Sequence, residues 1–177
     1  MEHEYEHVLL AAYWSGYLNN DPDNTFPAPP RTISNGGQAE SDAVLFYKGL
    51  EKSVIRILES GAIPVLVEQI PEFNYPVKAC VYDKIMTHTS PLACSVPKDI
   101  NSSKHKAYLL AFDKLQEHYP KVLRVNINDL LCTDHTCSPF INGNFVYYNS
   151  SHLNFSGAKE IAIKLREKNP NAKVSVW

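Results

Sequence analysis

The side chains best suited to chemistry lie near the C-terminus, where His152 follows Asn149 by three residues just before a predicted helix. An imidazole can accept a proton from a hydroxyl group near neutral pH. Reactive groups of open α/β sheets lie in loops at the carboxyl ends of strands, near helix starts, so His152 could be a general base. The alternative is structural, because histidines often lie at helix starts and asparagine is typical of turns.

A histidine base commonly activates a serine, and Ser15 follows the first predicted strand. A proline-rich loop follows Ser15, whereas a reactive serine at a strand end normally leads directly into a helix. Ser15 therefore lacks the setting expected of a nucleophile. Tyr13 and Trp14 at the same strand end are predicted to bind substrate, although a tryptophan there is also typical of a core.

The four cysteines allow three disulfide pairings. The pairing with the shortest loops, Cys80–Cys94 and Cys132–Cys137, is favoured because each pair lies in a polar, loop-like segment that a crosslink would stabilise. Free thiols are one alternative. A metal site is another, since His135 lies between Cys132 and Cys137, but the paired spacing and fourth ligand of a structural zinc site are missing and no metal is predicted. Disulfide bonds would indicate a protein that functions outside the reducing cytosol.

Apolar runs alternate with segments of helical periodicity along the chain. Strands are predicted at 8–14, 63–70 and 122–127, with a shorter strand-like piece at 145–148. Helices are predicted between Ser41 and Gly61, from about 103 to 119, and from just after Ser156 to 169–171, and long loops at 15–40 and 71–102.

This alternation of strands and helices predicts an α/β fold, with three α/β/α layers around a mostly parallel sheet. Strands that are apolar throughout imply burial on both faces and lateral neighbours. Three such strands make a thin sheet, so the domain is expected to be incomplete at its N-terminus. A flavodoxin-like nucleotide binder is disfavoured because neither a G-x-G-x-x-G motif nor a P-loop is present.

Composition restricts the function further. The chain has 177 residues, of which 44% are hydrophobic, as expected for one globular domain over 1–177 with a tail at 169–177. The net charge is −2 and no basic run is present, so no nucleic-acid partner is predicted. No apolar stretch reaches the roughly 18 residues that a membrane span needs, and the acidic N-terminus is unlike a signal peptide.

The C-terminal third resembles the SGNH domain that is fused behind membrane-bound acyltransferase-3 proteins. The resemblance rests on the segment 131–137 with its two cysteines, Gly143, the pair at 147–148, the His152-Leu153 pair and Gly157-Ala158. Residues 8–14 are similar to that family's strand ending in Ala-Ala-Arg-Trp, with Tyr13 in place of the arginine. The resemblance covers about Val8 to Lys168.

The resemblance implies an extracytoplasmic O-acyltransferase domain that transfers an acyl group, usually acetyl, to a carbohydrate acceptor. A membrane acyltransferase domain would supply the acyl donor, and no cofactor is implied. His152 would be the general base, and Asn149 occupies the position of the family's orienting carboxylate. The family's nucleophile lies in a Gly-Asp-Ser motif that this sequence does not contain. The chain is therefore predicted to be a fragment that is inactive alone, with an inactive accessory or carbohydrate-binding domain as the alternative.

Overall fold

The computed structural model describes residues 6–18 and 41–168. The chain divides into two compact units. Of the described residues, the sheet unit comprises 6–18, 41–69 and 102–126, and the disulfide unit comprises 70–101 and 127–168.

The regular elements alternate along the described residues much as the sequence predicts. The strands are β1 (His7–Leu10), β2 (Ile63–Val67), β3 (Val96–Pro97), β4 (Leu123–Val125), β5 (Thr136–Cys137), β6 (Phe140–Ile141) and β7 (Asn144–Phe145). The helices are α1 (Asp42–Glu59), α2 (Val77–Met86), α3 (Lys98–His118), α4 (Asn128–Leu131) and α5 (Phe155–Lys168), with 3-10 turns at Ser15–Tyr17 and Pro91–Cys94.

The sheet unit is built on a parallel sheet in the order β1-β2-β4. Leu10 is in register with Leu66, and Val67 with Val125. The central strand β2 is buried over Pro64–Leu66, as expected for a strand with neighbours on both sides. The parallel sheet predicted from the sequence is therefore confirmed.

One hydrophobic cluster holds the sheet unit together. Its buried members come from α1, α3, β2, the segment after β1 and the residue before β4: Trp14, Phe46, Leu50, Val54, Leu66, Tyr108, Ala111, Phe112, Leu115 and Val122. The α1 members recur every four residues and the α3 members every three or four, which places them on one face of each helix. Burying each large side chain contributes about 1.5–3 kcal/mol relative to leaving it exposed.

The boundaries of α1 follow local sequence signals. The helix begins after Ser41, whose side chain makes no capping hydrogen bond. It ends before Gly61, whose φ of 84° lies in the left-handed region that disfavours other residues. Gly61 is thus the stop signal that the sequence indicated.

The disulfide unit has little regular sheet. Its strands are two residues long and pair antiparallel, β3 with β5 and β6 with β7. Two disulfide bonds, Cys80–Cys94 and Cys132–Cys137, join its segments, and this is the shortest-loop pairing. The first bond ties α2 to the 3-10 turn at Pro91–Cys94, and the second encloses a turn of four residues.

Several predicted boundaries are wrong. The segment 71–102 is not one loop, because it contains α2 and the start of α3, which begins at Lys98. Only Val77 and Val81 of α2 are buried, so its sequence shows little helical periodicity. At 145–148, Phe145 belongs to a hairpin with β6 and only Tyr147 forms a further bridge.

The first strand is also shorter than predicted, since β1 ends at Leu10 rather than Trp14. Trp14 has helical backbone angles and leads into a 3-10 turn, so the backbone leaves the sheet before this residue. The Trp14 indole packs in the core of the sheet unit. The predicted loop at 15–40 therefore starts with ordered structure. Residues 19–40 and the predicted tail at 169–177 lie outside the described residues.

Candidate active site

The loop that carries His152 is a narrow turn closed by backbone pairing. Tyr147 forms an antiparallel bridge with Leu153, and the Tyr148 N–H donates to the His152 carbonyl over 2.8 Å. Just outside this pair, the Asn154 N–H donates to the Val146 carbonyl over 2.9 Å. Residues 149–151 therefore form the tip of a loop whose base is held by three successive backbone contacts.

Asn149 organises the tip. Its Oδ1 accepts hydrogen bonds from the Ser151 N–H at 3.0 Å and the His152 N–H at 2.8 Å, and it lies 3.0 Å from His152 Nδ1. Because two backbone donors point at this atom, it must be the amide oxygen rather than the nitrogen. Asparagine is favoured at such turns because its side chain can replace a backbone acceptor.

This contact selects one form of the imidazole. The Asn149 oxygen can only accept, so a hydrogen bond to His152 requires the proton to be on Nδ1. In the neutral ring Nε2 then carries the lone pair, which is the form needed to remove a proton from a hydroxyl group. Ser151 Oγ lies 3.2 Å from the same Nδ1 and provides a second partner on that side of the ring.

Ser150 attaches the loop tip to the segment that precedes α2. The Phe73 N–H donates to the Ser150 carbonyl over 2.9 Å, and Ser150 Oγ donates to the Tyr75 carbonyl over 2.7 Å. One bond holds Ser150 through its backbone and the other through its side chain. The position of the neighbouring Asn149 is consequently set by tertiary contacts as well as by the turn.

Tyr147 anchors the base of the loop in the interior of the disulfide unit. Its hydroxyl donates to the Pro71 carbonyl over 2.9 Å, and its ring meets Phe73 edge-on at a centroid distance of 4.9 Å. Burial raises the pKa of the Tyr147 phenol far above its ordinary value, and the negative charge of Glu72 adds to this effect. The hydroxyl is therefore a permanent hydrogen-bond donor at physiological pH.

Asn154 joins the loop to helix α5. Its Oδ1 accepts from the Gly157 N–H at 2.7 Å, which is the bond expected of an N-cap, and its Nδ2 donates to the Phe145 carbonyl at 2.9 Å. Gly157 lies so close to Val146 that an added Cβ would be 2.2 Å from the Val146 carbonyl oxygen. Glycine at 157 thus allows the close approach of helix and loop.

The chain is similar to known proteins in sequence and in fold. The family described as "SGNH domain (fused to AT3 domains)" matches residues 1–167. The chain belongs to this SGNH family. The periplasmic domain of the lipopolysaccharide acetyltransferase of Salmonella ser. Paratyphi A is similar in structure, with a TM-score of 0.54 and 17% sequence identity. The match covers 76% of this chain and 53% of the Salmonella chain, so the SGNH domain spans about half the length of that structure.

The structural similarity establishes the fold of the SGNH domain, which is mixed α/β with a parallel sheet, as in SGNH-like α/β/α proteins. No curated protein sequence matches the chain significantly. Across residues 6–18 and 41–168, no helix is both long and apolar enough to cross a membrane. Within the same residues, no group of three or more histidine, cysteine or acidic side chains is arranged to hold a metal ion.

Ser15 of the SGNH domain is buried and paired with Gln69 inside the sheet unit. The Ser15 N–H donates to Gln69 Oε1, and Gln69 Nε2 donates to Ser15 Oγ, both over 2.9 Å. The Tyr108 hydroxyl lies 3.2 Å from the Gln69 backbone nitrogen, from which it accepts a hydrogen bond. These reciprocal bonds fix the chain after β1 and explain why a serine is buried there.

The two aromatic residues predicted to bind substrate differ in their surroundings. Trp14 is 7% exposed, donates from Nε1 to the Val67 carbonyl over 2.7 Å, and packs edge-on against Phe46 and Phe112. Tyr13 is 38% exposed. Trp14 thus contributes to the core of the sheet unit, whereas Tyr13 retains surface that a ligand could contact.

Of the predicted site residues, the structure brings Asn149 and His152 into direct contact. Sequence reasoning overlooked Ser150 and Ser151, which hold the loop and the imidazole ring. It also overlooked Asn154, although an asparagine three residues before Gly157 at a helix start is a recognisable N-cap signal. The two serines carry no such signal in the sequence. Ser150 bonds to the backbone of Tyr75, which is distant in the chain, and the contact of Ser151 with His152 depends on how the imidazole ring is oriented.

Proposed function

We propose that this SGNH domain is the extracytoplasmic part of a carbohydrate O-acyltransferase, which passes an acyl group, in the simplest case acetyl, to a sugar hydroxyl. The observation that carries the proposal is the 3.0 Å contact between Asn149 Oδ1 and Nδ1 of the exposed His152 ring. The family's fusion to AT3 domains and the similarity to an acetyltransferase domain support the same reaction class.

In the proposed reaction, His152 Nε2 accepts the proton of a serine hydroxyl as the serine oxygen attacks the acyl donor. The donor's leaving group takes that proton, and an acyl-serine ester remains. A sugar hydroxyl then attacks this ester, gives its proton to Nε2, and the serine oxygen recovers the proton when the new sugar ester forms. The membrane acyltransferase domain supplies the donor, and no cofactor takes part.

The serine is proposed to lie outside these 177 residues, because the sequence has no Gly-Asp-Ser motif. The chain would then be a fragment that does not catalyse the reaction alone. Residues 1–177 are proposed to form a single SGNH-like domain, to which the missing strand would add. Tyr13 is proposed to contact the acyl group or the sugar, with Trp14 supporting it from the core.

Asn149 is expected to make the base less effective than a carboxylate would. An amide oxygen orients the ring but carries no charge to stabilise the imidazolium ion that forms during proton transfer. In serine proteases, replacing the orienting aspartate by asparagine lowers turnover by about 10⁴-fold because the ring takes the wrong tautomer. The loss expected here is smaller, since Asn149 Oδ1 faces Nδ1 and selects the correct tautomer.

An inactive accessory or carbohydrate-binding domain is the second candidate. It is favoured by the two backbone N–H groups that already bind Asn149 Oδ1, because these bonds explain the asparagine as a turn residue without catalysis. The two candidates differ in whether His152 is needed for ester chemistry.

A chromogenic acetyl ester can separate these candidates. We expect no hydrolysis above background by the chain of 177 residues, and hydrolysis once a strand carrying Gly-Asp-Ser is joined to its N-terminus. His152→Ala in this extended chain should remove the activity, whereas His135→Ala, at an exposed histidine in the Cys132–Cys137 turn, should retain it. Activity that survives His152→Ala would exclude the proposed base. A folded but inactive extended chain would favour the accessory domain.

A further inference from the structure

Tyr148 is an exposed aromatic residue in an otherwise anchored loop. It is 67% exposed, while Tyr147 directly before it is 1% exposed. An exposed aromatic ring removes little apolar area from water when the chain folds, so it adds little to folding stability. Large exposed apolar groups near a candidate site are more informative than scattered ones, because they often contact a ligand.

The backbone register places Tyr148 beside His152. Tyr147 is bridged to Leu153 in antiparallel fashion, so Tyr148 is directly opposite His152, and its N–H donates to the His152 carbonyl. Opposite residues of an antiparallel pair project to the same face with Cβ atoms about 5 Å apart. The alternation of burial agrees, since Tyr147 faces the interior while Tyr148 and His152 are both exposed.

The position of Tyr148 is also well determined. It lies between Tyr147, which is bonded to Pro71, and Asn149, whose side chain closes the turn. A tyrosine has few rotatable bonds, so a ring on a fixed backbone can bind a ligand with a small loss of conformational entropy.

We infer that Tyr148 is the surface on which the sugar ring of the acceptor packs, with the reacting hydroxyl directed toward His152 Nε2. This inference rests on the proposed function. One face of a pyranose ring presents C–H groups, which are attracted to the partly negative face of an aromatic ring. An exposed flat ring suits a solvated sugar better than a small acyl group, which would be expected in an enclosed apolar pocket.

The first test uses NMR to measure the binding of methyl glucoside and methyl galactoside to the chain of 177 residues. We expect amide shifts to change mainly within 147–153. Tyr148→Ala should weaken binding by about fivefold, a loss within the range measured for single aromatic contacts, while Tyr148→Phe should retain it. The matched control is Tyr82→Ala on α2, where a 60% exposed tyrosine is removed. Shifts confined to other segments, or unchanged affinity in Tyr148→Ala, would overturn the inference.

The second test separates this inference from the proposed function. In the chain extended with the Gly-Asp-Ser strand, the acetyl group partitions between water and the methyl glycoside. We expect Tyr148→Ala to lower the ratio of transfer to hydrolysis about fivefold, and Tyr82→Ala to leave it unchanged. A ratio that Tyr148→Ala does not alter would overturn the inference alone. Absence of any His152-dependent hydrolysis in the unsubstituted extended chain would instead contradict the proposed function.

Discussion

The sheet unit and the disulfide unit hold their chains in place by different means. The sheet unit packs α1 and α3 on a parallel sheet around one apolar cluster. The disulfide unit has strands of two residues and relies on two disulfide bonds and on side chains that bond to backbone groups. Both units bury apolar side chains, such as Leu66 in the first and Val146 in the second, but only the second adds covalent crosslinks to that packing.

The polar groups of the two units differ accordingly. In the sheet unit, Glu68 is 6% exposed and bonded to Arg124 Nε over 2.6 Å, and Arg124 also contacts Asp113. Burial lowers the Arg124 pKa, but attraction to the two carboxylates outweighs this effect and the pKa is raised. These charges pair internally, whereas Asn149 and His152 lie at the surface.

A reactive imidazole must meet its substrate, so it cannot be fixed by burial. The disulfide unit meets this requirement for His152, the proposed base, by anchoring residues on either side of it. Tyr147 and Ser150 are bonded to the segment 71–75, and Asn154 is bonded to α5 and the loop. The side chain between these anchors is then both exposed and oriented.

The largest expected effect in this comparison is on the core of the sheet unit. Phe112 is fully buried and contacts the rings of Trp14 and Tyr108. Phe112→Ala should lower the free energy of unfolding by about 3–5 kcal/mol, as measured by urea denaturation. Leu110→Ala, at a 59% exposed position on the same helix, is the control and should change it by less than about 0.5 kcal/mol. Equal effects of both variants would contradict the assigned core.

Removing a crosslink should affect the disulfide unit next most strongly. Replacing Cys80 and Cys94 by serine should cost about 3 kcal/mol, because the bond closes a loop across 14 residues of sequence separation. The Cys132–Cys137 bond, with a separation of 5, should cost about 2 kcal/mol. Hydrogen exchange should show the loss of protection mainly in the disulfide unit. Loss confined to the sheet unit would show that the crosslinks do not have this local function.

Substitution of Asn149 should produce a smaller loss of stability but a specific change in the imidazole. Asn149→Ala should cost about 1 kcal/mol through the lost turn bonds. It should also reduce the fraction of His152 protonated on Nδ1, which ¹⁵N chemical shifts of the ring report. Asn149→Asp keeps the acceptors and should restore that form. In the extended chain it should also raise hydrolysis by about tenfold, because a hydrogen bond to a charged acceptor is about 1.4 kcal/mol stronger than one to a neutral acceptor. If the fraction of His152 protonated on Nδ1 is unchanged in Asn149→Ala, Asn149 does not orient the ring.

The smallest effect is expected at a hydrogen bond between two side chains of α1. The Tyr47 hydroxyl donates to Glu51 Oε1 over 2.9 Å, and burial, followed by this bond, raises the Tyr47 pKa to about 12. Because the folded state holds this proton more tightly than the unfolded chain, the stabilisation is complete below pH 10 and is lost as the pH rises toward 12. Tyr47→Phe should flatten the fall in unfolding free energy between pH 10 and 12. An identical slope would contradict the raised pKa.

The elements that the sequence predicted well are those with repetitive burial. The apolar faces of α1 and α3 and the continuous apolar run of β2 could be recognised because burial follows the period of each structure. Helix α2 escaped recognition because it buries only Val77 and Val81. The position of α2 is determined by the Cys80–Cys94 bond to the 3-10 turn at Pro91–Cys94. A single crosslink of this kind leaves no periodic pattern in the sequence.

The sequence by itself determined the parallel α/β class, because that class follows from repeated local patterns of apolar residues. The resemblance to a known family led to the prediction that His152 is the base and Asn149 its neighbour. Only the tertiary structure decided that Trp14 and Ser15 are held inside the sheet unit. It also decided that Asn149 binds Nδ1 and that Tyr148 shares the exposed face of His152. The partners of Trp14 and Ser15 are more than 50 residues away in the chain, so no local pattern encodes these bonds. The contacts of Asn149 and Tyr148 are local, but they depend on the exact backbone conformation of the turn, which the residue types alone do not specify.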